Sequence, residues 1–405
     1  MRLTTFCAIA ALLAPVAGAV AQQPFTLTRG QVIAAALARG PRLNLASADT
    51  AVAAAQLLSA RGIPNPLLSA SYTKSLPQFH VTADMPLDFL WLRNTRIRSA
   101  DAARLAAQYR YAFDRARVIL EADTSYTRAL AALAHVRLSQ RNADAADSVR
   151  RIAVARRDAG DASDLDVELA TISAGQGANS AAADSLTLTT ALLNLQALIG
   201  LPTDRVVASP VDSLVAPATA EPGVTDTTLA VASAVASLRS ATLAATVQHR
   251  SALGFPGIMF GFETGDPTGA EPGILPTFGI TLPLPFFNRN RGPIAEADAA
   301  RLRANAELGV VRIDAQLQVS RAQSTQAGAL ARVARDRALV GSADRVAAMS
   351  LTAYREGAAP LSTVLEAQRT AREILAQYID DVASASIAAA TLRVLTLTPS
   401  SVPTP

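Results

Sequence analysis

Apolar positions along this chain follow two rhythms, and each rhythm occurs twice. In the first, Leu105, Tyr109, Ala112, Ala116, Ile119, Asp123, Tyr126, Leu130 and Leu133 are separated by alternating steps of four and three. That spacing is a coiled-coil seam with one polar interruption. No proline occurs between Thr95 and Asp158, so the pattern predicts one helix of about 64 residues, roughly 96 Å long. A second stretch, Pro293 to Glu356, has the same character, with proline expected at its first helical position and a weaker seam at Gln316, Ser320 and Gln323. Gly160 and Gly357 follow these stretches where a left-handed C-cap is expected. A shorter helix is predicted after each glycine, Asp164 to Ile199 and Leu361 to Thr396, with a weak point at Gly175-Gln176-Gly177. Another opens each half, Thr28 to Ala60 and Asp226 to Arg250. The two shorter helices of a half together match the long one, so they can stack end to end along it.

The second rhythm has a period of two. Leu68, Ala70 and Tyr72 alternate with Ser69, Ser71 and Thr73; after a turn at Lys74 to Gln78, Phe79, Val81, Ala83 and Met85 alternate with His80, Thr82 and Asp84. In the other half Ile258, Phe260 and Phe262 alternate with Met259, Gly261 and Glu263, and Phe278, Ile280 and Leu282 with Thr277, Gly279 and Thr281. These patterns predict two hairpins with one apolar and one polar face. Four strands leave two open edges and are too few to close a barrel, whereas three copies would supply enough.

The halves are copies of one unit. Ala-Asp-Ala-Ala-Arg-Leu occurs at 100–105 and again at 297–302. In the same register Pro86-Leu87-Asp88-Phe89 maps onto Pro283-Leu284-Pro285-Phe286, Gly160 onto Gly357, Val167 onto Val364 and Leu195 onto Leu392. A tandem duplication therefore organises the chain. The expected divisions are a secretory signal at 1–21, a first repeat at 22–200, a linker at 201–223 that wraps outside the helices, a second repeat at 224–398, and a disordered tail at 399–405.

Composition narrows the setting. The 405 residues are 50% hydrophobic but only 4% aromatic, which suits closely packed helices better than a thick globular core. The formal charge is +4, and Lys74 is the sole lysine among 37 basic residues. Arginines are interspersed with acids along the helices, which argues against nucleic acid as a partner. Arg2, the apolar run from Ala8 to Ala19, and Ala19-Val20-Ala21 read as a secretory leader. The single cysteine, Cys7, lies inside it, so the processed chain would have no disulfide and no thiolate metal ligand. No later run of about 18–20 uncharged apolar residues exists, so a membrane crossing would have to use β-strands.

Reactive chemistry is sparse. His80, His135 and His249 have no ligand spacing, and Gly175-Gln176-Gly177 lacks both the preceding strand and the third glycine of a nucleotide loop. No catalytic residue, cofactor or metal site is expected. Asp161, Asp164, Asp166 and Glu168 cluster after the first glycine turn, and Glu366 follows the second. Acids here serve helix caps and the positive end of the helix dipole; in a threefold assembly each would also become a ring that favours cations. Phe89, Trp91, Phe286 and Phe287 lie where strands give way to helices, a place that suits a membrane–water boundary or ordinary packing.

In layout the chain resembles the TolC family of outer-membrane efflux channels, over nearly all of its length after the leader. The duplicated strand–strand–long helix–glycine turn–helix unit carries the resemblance, with Ala38-Arg39-Gly40-Pro41-Arg42-Leu43, Arg157-Asp158-Ala159-Gly160 with Asp166-Val167, and Tyr354-Arg355-Glu356-Gly357 with Val364-Leu365-Glu366-Ala367. Departures are visible: Gly40 stands where asparagine is common, Thr363 where another gate acid occurs, and Ala359 where a gate arginine pairs across protomers. The resemblance implies a mainly helical homotrimer, with long-helix hairpins forming a periplasmic α-barrel and two β-hairpins per chain building a twelve-stranded barrel in outer-membrane lipid. It implies a passive exit duct for efflux or type I secretion, a periplasmic adaptor (a membrane fusion protein), and an inner-membrane pump of RND or ABC type. By the same resemblance Gly160, Asp161, Asp164, Asp166, Gly357 and Glu366 form the tip that closes the channel and docks the adaptor. The competing expectation is a soluble periplasmic coiled-coil scaffold or adaptor, which explains the helices and leader but not four paired alternating strands.

Overall fold

The computed structural model describes residues 25–218, 228–252, 254–265, 268 and 273–398. The expected leader, part of the linker and the tail lie outside these residues.

Short strand β1 (Phe25–Leu27) leads into helix α1 (Arg29–Arg39) through Thr28, which closes a capping box with Gln31. The opening helix expected from Thr28 to Ala60 is two helices. It breaks at Gly40, and α2 (Pro41–Arg61) restarts with proline in its first turn. The cause is local: the proline ring disfavours helical backbone at the preceding residue, and Gly40 is extended at φ −63° and ψ 122°.

Strands β2 (Leu67–Tyr72) and β3 (Phe79–Pro86) follow, then a single 3-10 turn at Asp88–Leu90 and the 66-residue helix α3 (Arg93–Asp158). After the first glycine turn comes α4 (Asp164–Leu198). The connector contributes β4 (Ala208–Pro210), which pairs in parallel with β1. The second half repeats the plan: α5 (Leu229–Arg250), β5 (Gly257–Thr264), β6 (Ile274–Thr281), the 65-residue α6 (Arg291–Arg355) and α7 (Leu361–Leu395). Pro293 is therefore the third residue of α6 rather than the first. It is tolerated because the first N–H groups of a helix have no intrahelical acceptor. The weak point expected at Gly175-Gln176-Gly177 is absent, since α4 runs through it unbroken. Gly177 instead lets α4 approach α3, because a Cβ there would lie 3.2 Å from the Ala143 Cα.

All four long strands form one antiparallel sheet in the order β2-β3-β5-β6. Register brings Leu68 opposite Ala83, Ala83 opposite Phe260, and Phe260 opposite Phe278. Leu68, Ala70, Tyr72, Phe79, Val81, Ala83, Met85, Ile258, Phe260, Phe262, Phe278 and Ile280 therefore share one face, and His80, Thr82, Asp84, Gly261, Glu263, Thr277 and Thr281 the other, where Leu67, Met259 and Leu275 are the apolar exceptions. The apolar face is uncovered within the chain: Phe278 is 74% exposed and Ile280 81%.

Helices keep the order of the sheet. Nearer the strands, α3 packs on α2 and α5, and α5 on α6; nearer the glycine turns, α3 packs on α4 and α7, and α7 on α6. One flank of the molecule is therefore β2, α2 and α4, and the other is β6 and α6. Helix α5 has the length and hydropathy of a membrane span, with a mean of 1.4 over its most apolar window. It carries Arg239 and lies between α3 and α6.

The largest buried cluster sits midway along α3, where Val118, Ala122, Tyr126 and Leu130 meet Val32, Leu195 and Ile199. Gln196 is fully buried there and fully used. Its amide donates to the carbonyls of Pro202 (2.6 Å) and Arg205 (2.8 Å), and its oxygen accepts from the N–H groups of Val207 (2.7 Å) and Ala208 (3.2 Å). This single side chain pins the connector to the end of α4. Asp123, the polar interruption in the predicted seam, is held by Arg29 and Arg393, so the buried carboxylate is paired on both sides.

Candidate functional site

Both glycine turns have one backbone. Gly160 takes φ 83° and Gly357 φ 77°, the left-handed region open to a residue without Cβ. Asp161 N–H reaches back to the Arg156 carbonyl and Ala358 N–H to the Ala353 carbonyl, each at 2.8 Å. Gly160 N–H donates to the Arg157 carbonyl at 2.9 Å and Gly357 N–H to Tyr354 at 3.1 Å. These pairs of bonds satisfy carbonyls that the ends of α3 and α6 would otherwise leave open, the Schellman arrangement.

The turns lie together at one end of the molecule. A small core of Val149, Ala153, Ala170, Leu361 and Val364 surrounds Tyr354, which is 2% exposed. Arg156, from the first turn, spans the gap. Its Nη1 donates to the Tyr354 carbonyl at 2.5 Å, its Nη2 to the Asp161 carbonyl at 3.1 Å, and its guanidinium lies 4.7 Å from the centre of the Tyr354 ring. Burial, and then the nearby Asp166 charge, push the Tyr354 phenol above its ordinary 10.0, while Arg156 pulls the other way. The sequence carried no signal for this contact, because its partners are 198 residues apart.

The acids expected at the tip divide. Asp166 closes a capping box: its carboxylate accepts from Ser163 N–H (3.3 Å), and Ser163 Oγ accepts from Asp166 N–H (3.2 Å). Asp161 contributes its carbonyl to Arg156 and leaves its side chain exposed. Asp164 is exposed, 3.9 Å from Arg157. Glu366 lies on α7 and lines a groove of about 610 Å³ between the two helical hairpins, together with Asn142, Gln176, Asp344, Arg369 and Arg372. The structure thus brings Asp161 and Asp166 to the paired turns and puts Glu366 in the adjoining groove.

At the other end, the boundary aromatics mark the level where strands become helices. Phe89 lies in the turn Asp88–Leu90 and is half-buried. Trp91 packs against Phe255, with ring centres 6.1 Å apart. Phe286 and Phe287 are fully presented, at 75% and 104% exposure. The three histidines do not converge: His80 pairs with Glu263 across β3 and β5 (3.3 Å), His135 with Asp380 (2.8 Å) and His249 with Asp298 (3.0 Å). Among the described residues, no group of three or more histidines, cysteines or acids is placed to hold a metal ion.

Residues 274–396, which span β6, α6 and α7, match the family described as outer membrane efflux protein. No curated protein sequence matches the chain. Several solved structures share its fold. A membrane protein from Pseudomonas aeruginosa is 20% identical, with a TM-score of 0.77 over 91% of this chain and 93% of its own. The Campylobacter jejuni CmeC outer membrane channel is 16% identical, with a TM-score of 0.77 over 91% and 85%. The Vibrio cholerae outer membrane protein VceC is 15% identical, with a TM-score of 0.75 over 91% and 96%. Its second repeat is thus similar to the outer membrane efflux protein family, and along nine-tenths of its length the chain has the fold of solved outer-membrane channels.

Proposed function

We propose that three copies of the chain form the exit duct of a tripartite export system, passively conducting substrate handed on by a periplasmic adaptor and an inner-membrane pump of RND or ABC type. The observation that carries this reading is the sheet: one mainly apolar, uncovered face, one mainly polar face and two unpaired edges. In water such a sheet exposes both greasy side chains and open hydrogen-bonding edges. A closed twelve-stranded barrel would remove the edges, turn the apolar face to lipid and line a water-filled lumen with the polar one. Phe286, Phe287 and Trp91 suit the boundary of that barrel.

Exposed seams on the two helical flanks support the same assembly. On α6, Val310, Ile313 and Leu317, and further along Val346 and Met349, are exposed at steps of three and four. On the opposite flank, Leu45 and Val52 of α2 are exposed seven residues apart and Leu165 of α4 is exposed near the turns, while Leu169 and Ile172 line the groove between the hairpins. Different flanks that match in character favour head-to-tail contact between copies, which closes into a ring. Gly160, Asp161, Asp164, Asp166, Gly357 and Glu366 then lie around the periplasmic mouth, the reading in which the turns close the duct and receive the adaptor.

Mass measurement of the processed protein tests the assembly. A trimer in detergent that aggregates when the detergent is withdrawn is expected. A stable monodisperse monomer in plain buffer would overturn the duct and favour a soluble scaffold. Neutralising Asp166 and Glu366 together should lower cation selectivity in planar bilayers; unchanged selectivity would remove them from the conduction path.

A further inference from the structure

Resting on the reading of the assembly as a duct, we infer that a cavity between α3 and α6 is a lumenal binding site for zwitterionic amphiphiles. These are small molecules with an apolar body and charges of both signs. The cavity has a volume of about 390 Å³ and lies over the joint where α7 ends and α5 begins. Both of those helices lie between α3 and α6, and Leu229 N–H meets the Leu397 carbonyl at 3.0 Å where they change over. Phe113, Leu229 and Leu395 give the hollow an apolar floor. Helical spacing shows which way it opens. Tyr126 donates to Asp212 and Ser386 to the Val215 carbonyl, so both face the connector. Arg117 precedes Tyr126 by nine residues, and Leu395 follows Ser386 by nine. Nine residues make two and a half helical turns, so both of these lining residues point away from the connector. On the proposed assembly, with the connector outside the helices, that side is the lumen.

The two walls carry opposite charge at equivalent positions of the repeat. Arg110 and Arg117 of α3 map onto Glu307 and Asp314 of α6, and all four line the cavity. Duplication has thus set cations against anions across one hollow, yet the walls do not neutralise each other. Among the described residues, the side chains of Arg110, Arg117 and Asp314 have no hydrogen-bond or ion-pair partner, and Glu307 turns to Arg303 at 2.7 Å. Asp114 also lines the α3 wall, which therefore offers two cations and one anion against the two anions of α6. A lone ammonium would be drawn to α6 and repelled by the arginines, and a lone carboxylate the reverse. A molecule bearing both charges on an apolar body suits both walls and covers the floor. All four charged side chains are exposed to solvent, so each contact is weak and readily released, as passage along a duct requires.

Dansyl probes that share one apolar body test the inference: ε-dansyl-lysine is zwitterionic, dansylcadaverine cationic and dansylglycine anionic. Fluorescence titration of the processed protein in nanodiscs, with empty nanodiscs subtracted, reads the affinities. The zwitterion is expected to bind at least about fivefold more tightly than either singly charged probe, the scale of one exposed charge pair. Raised salt should shrink that preference. An Arg110→Gln/Arg117→Gln double variant should weaken the zwitterion to the level of the cationic probe, and Asp314→Asn to that of the anionic one, with assembly mass unchanged. Equal binding of all three probes by wild type, or tighter binding of a singly charged one, overturns the site without recourse to any variant. Planar-bilayer conductance separates the site from the duct. Pores that form but show no zwitterion preference remove the site and leave the duct standing; no pores at all removes the duct. The zwitterion should also lower wild-type current and spare that of the variants. Unchanged current despite binding would put the cavity off the conduction path and overturn the lumenal site.

Discussion

The two glycine turns share a backbone and almost nothing else. Both ends are closed by the same pair of hydrogen bonds around a left-handed glycine. Beyond that, the first turn carries Arg156, Arg157, Ser163 and Asp166 where the second carries Ala353, Tyr354, Pro360 and Thr363. The start of α4 is capped by Ser163 and Asp166, whereas Pro360 precedes α7 without a side-chain cap. Duplication preserved what backbone geometry requires and released the side chains to specialise. One turn became charged and capped, and the other supplied the aromatic surface on which the first rests.

Five substitutions would break or sharpen that contrast. The largest effect is expected at the glycines: valine at either resists positive φ and should cost about 1–2 kcal/mol locally. Gly357→Val should also be felt at Arg156, because its Cβ would lie in contact with Nη2 at 3.5 Å, whereas a Cβ at Gly160 meets nothing within 4 Å. Hydrogen exchange across residues 156–166 and 353–363 reads both; equal protection in both variants would erase the distinction. Next, Ser163→Ala should loosen the first turn of α4 by about 1 kcal/mol, the ordinary value of a lost N-cap. Pro360→Ala should act on α7 by less, through the freedom it gives the unfolded chain. The smallest effect concerns pH. The native chain holds the Tyr354 proton more tightly than the unfolded chain does. Its contribution to stability is therefore complete below the ordinary phenol value of 10.0 and is lost as pH rises through the higher native one. Burial raises the Tyr126 phenol as well, so alkaline absorbance titration should show late-ionising tyrosines of which one is lost in Tyr354→Phe.

Much of this was legible before the structure because long periods repeat their own evidence. A proline-free run of heptads predicted α3 to within two residues at its start, and strict alternation placed all four sheet strands. The helix ends Asp158 and Arg355, and Leu198 and Leu395, keep the repeat spacing of 197. The hairpins do not: Phe79, first in β3, maps onto Pro276, two residues inside β6. Helix lengths are fixed by packing against each other, while a hairpin can gain or lose residues at its loop. Other features left no periodic trace. Strands β1 and β4 have three residues each, too few to alternate. Gln196 looked like one polar residue in an apolar helix, and its four bonds go to a connector whose path had no pattern. At the tip the glycines announced themselves through the helix ends, whereas Arg156 looked like any exposed arginine because its value lies in a partner from the other repeat.

One consequence follows from the unlike flanks. On the proposed assembly, each chain offers α6 to one neighbour and α2 with α4 to the other. A copy damaged on α6 alone, for instance by Ile313→Asp, could still be accepted on its intact side and would then leave the circle unfinished. Mixed with normal copies, it would spoil whole ducts in proportion to the number of subunits, so a heterozygous population would lose far more than half of its export.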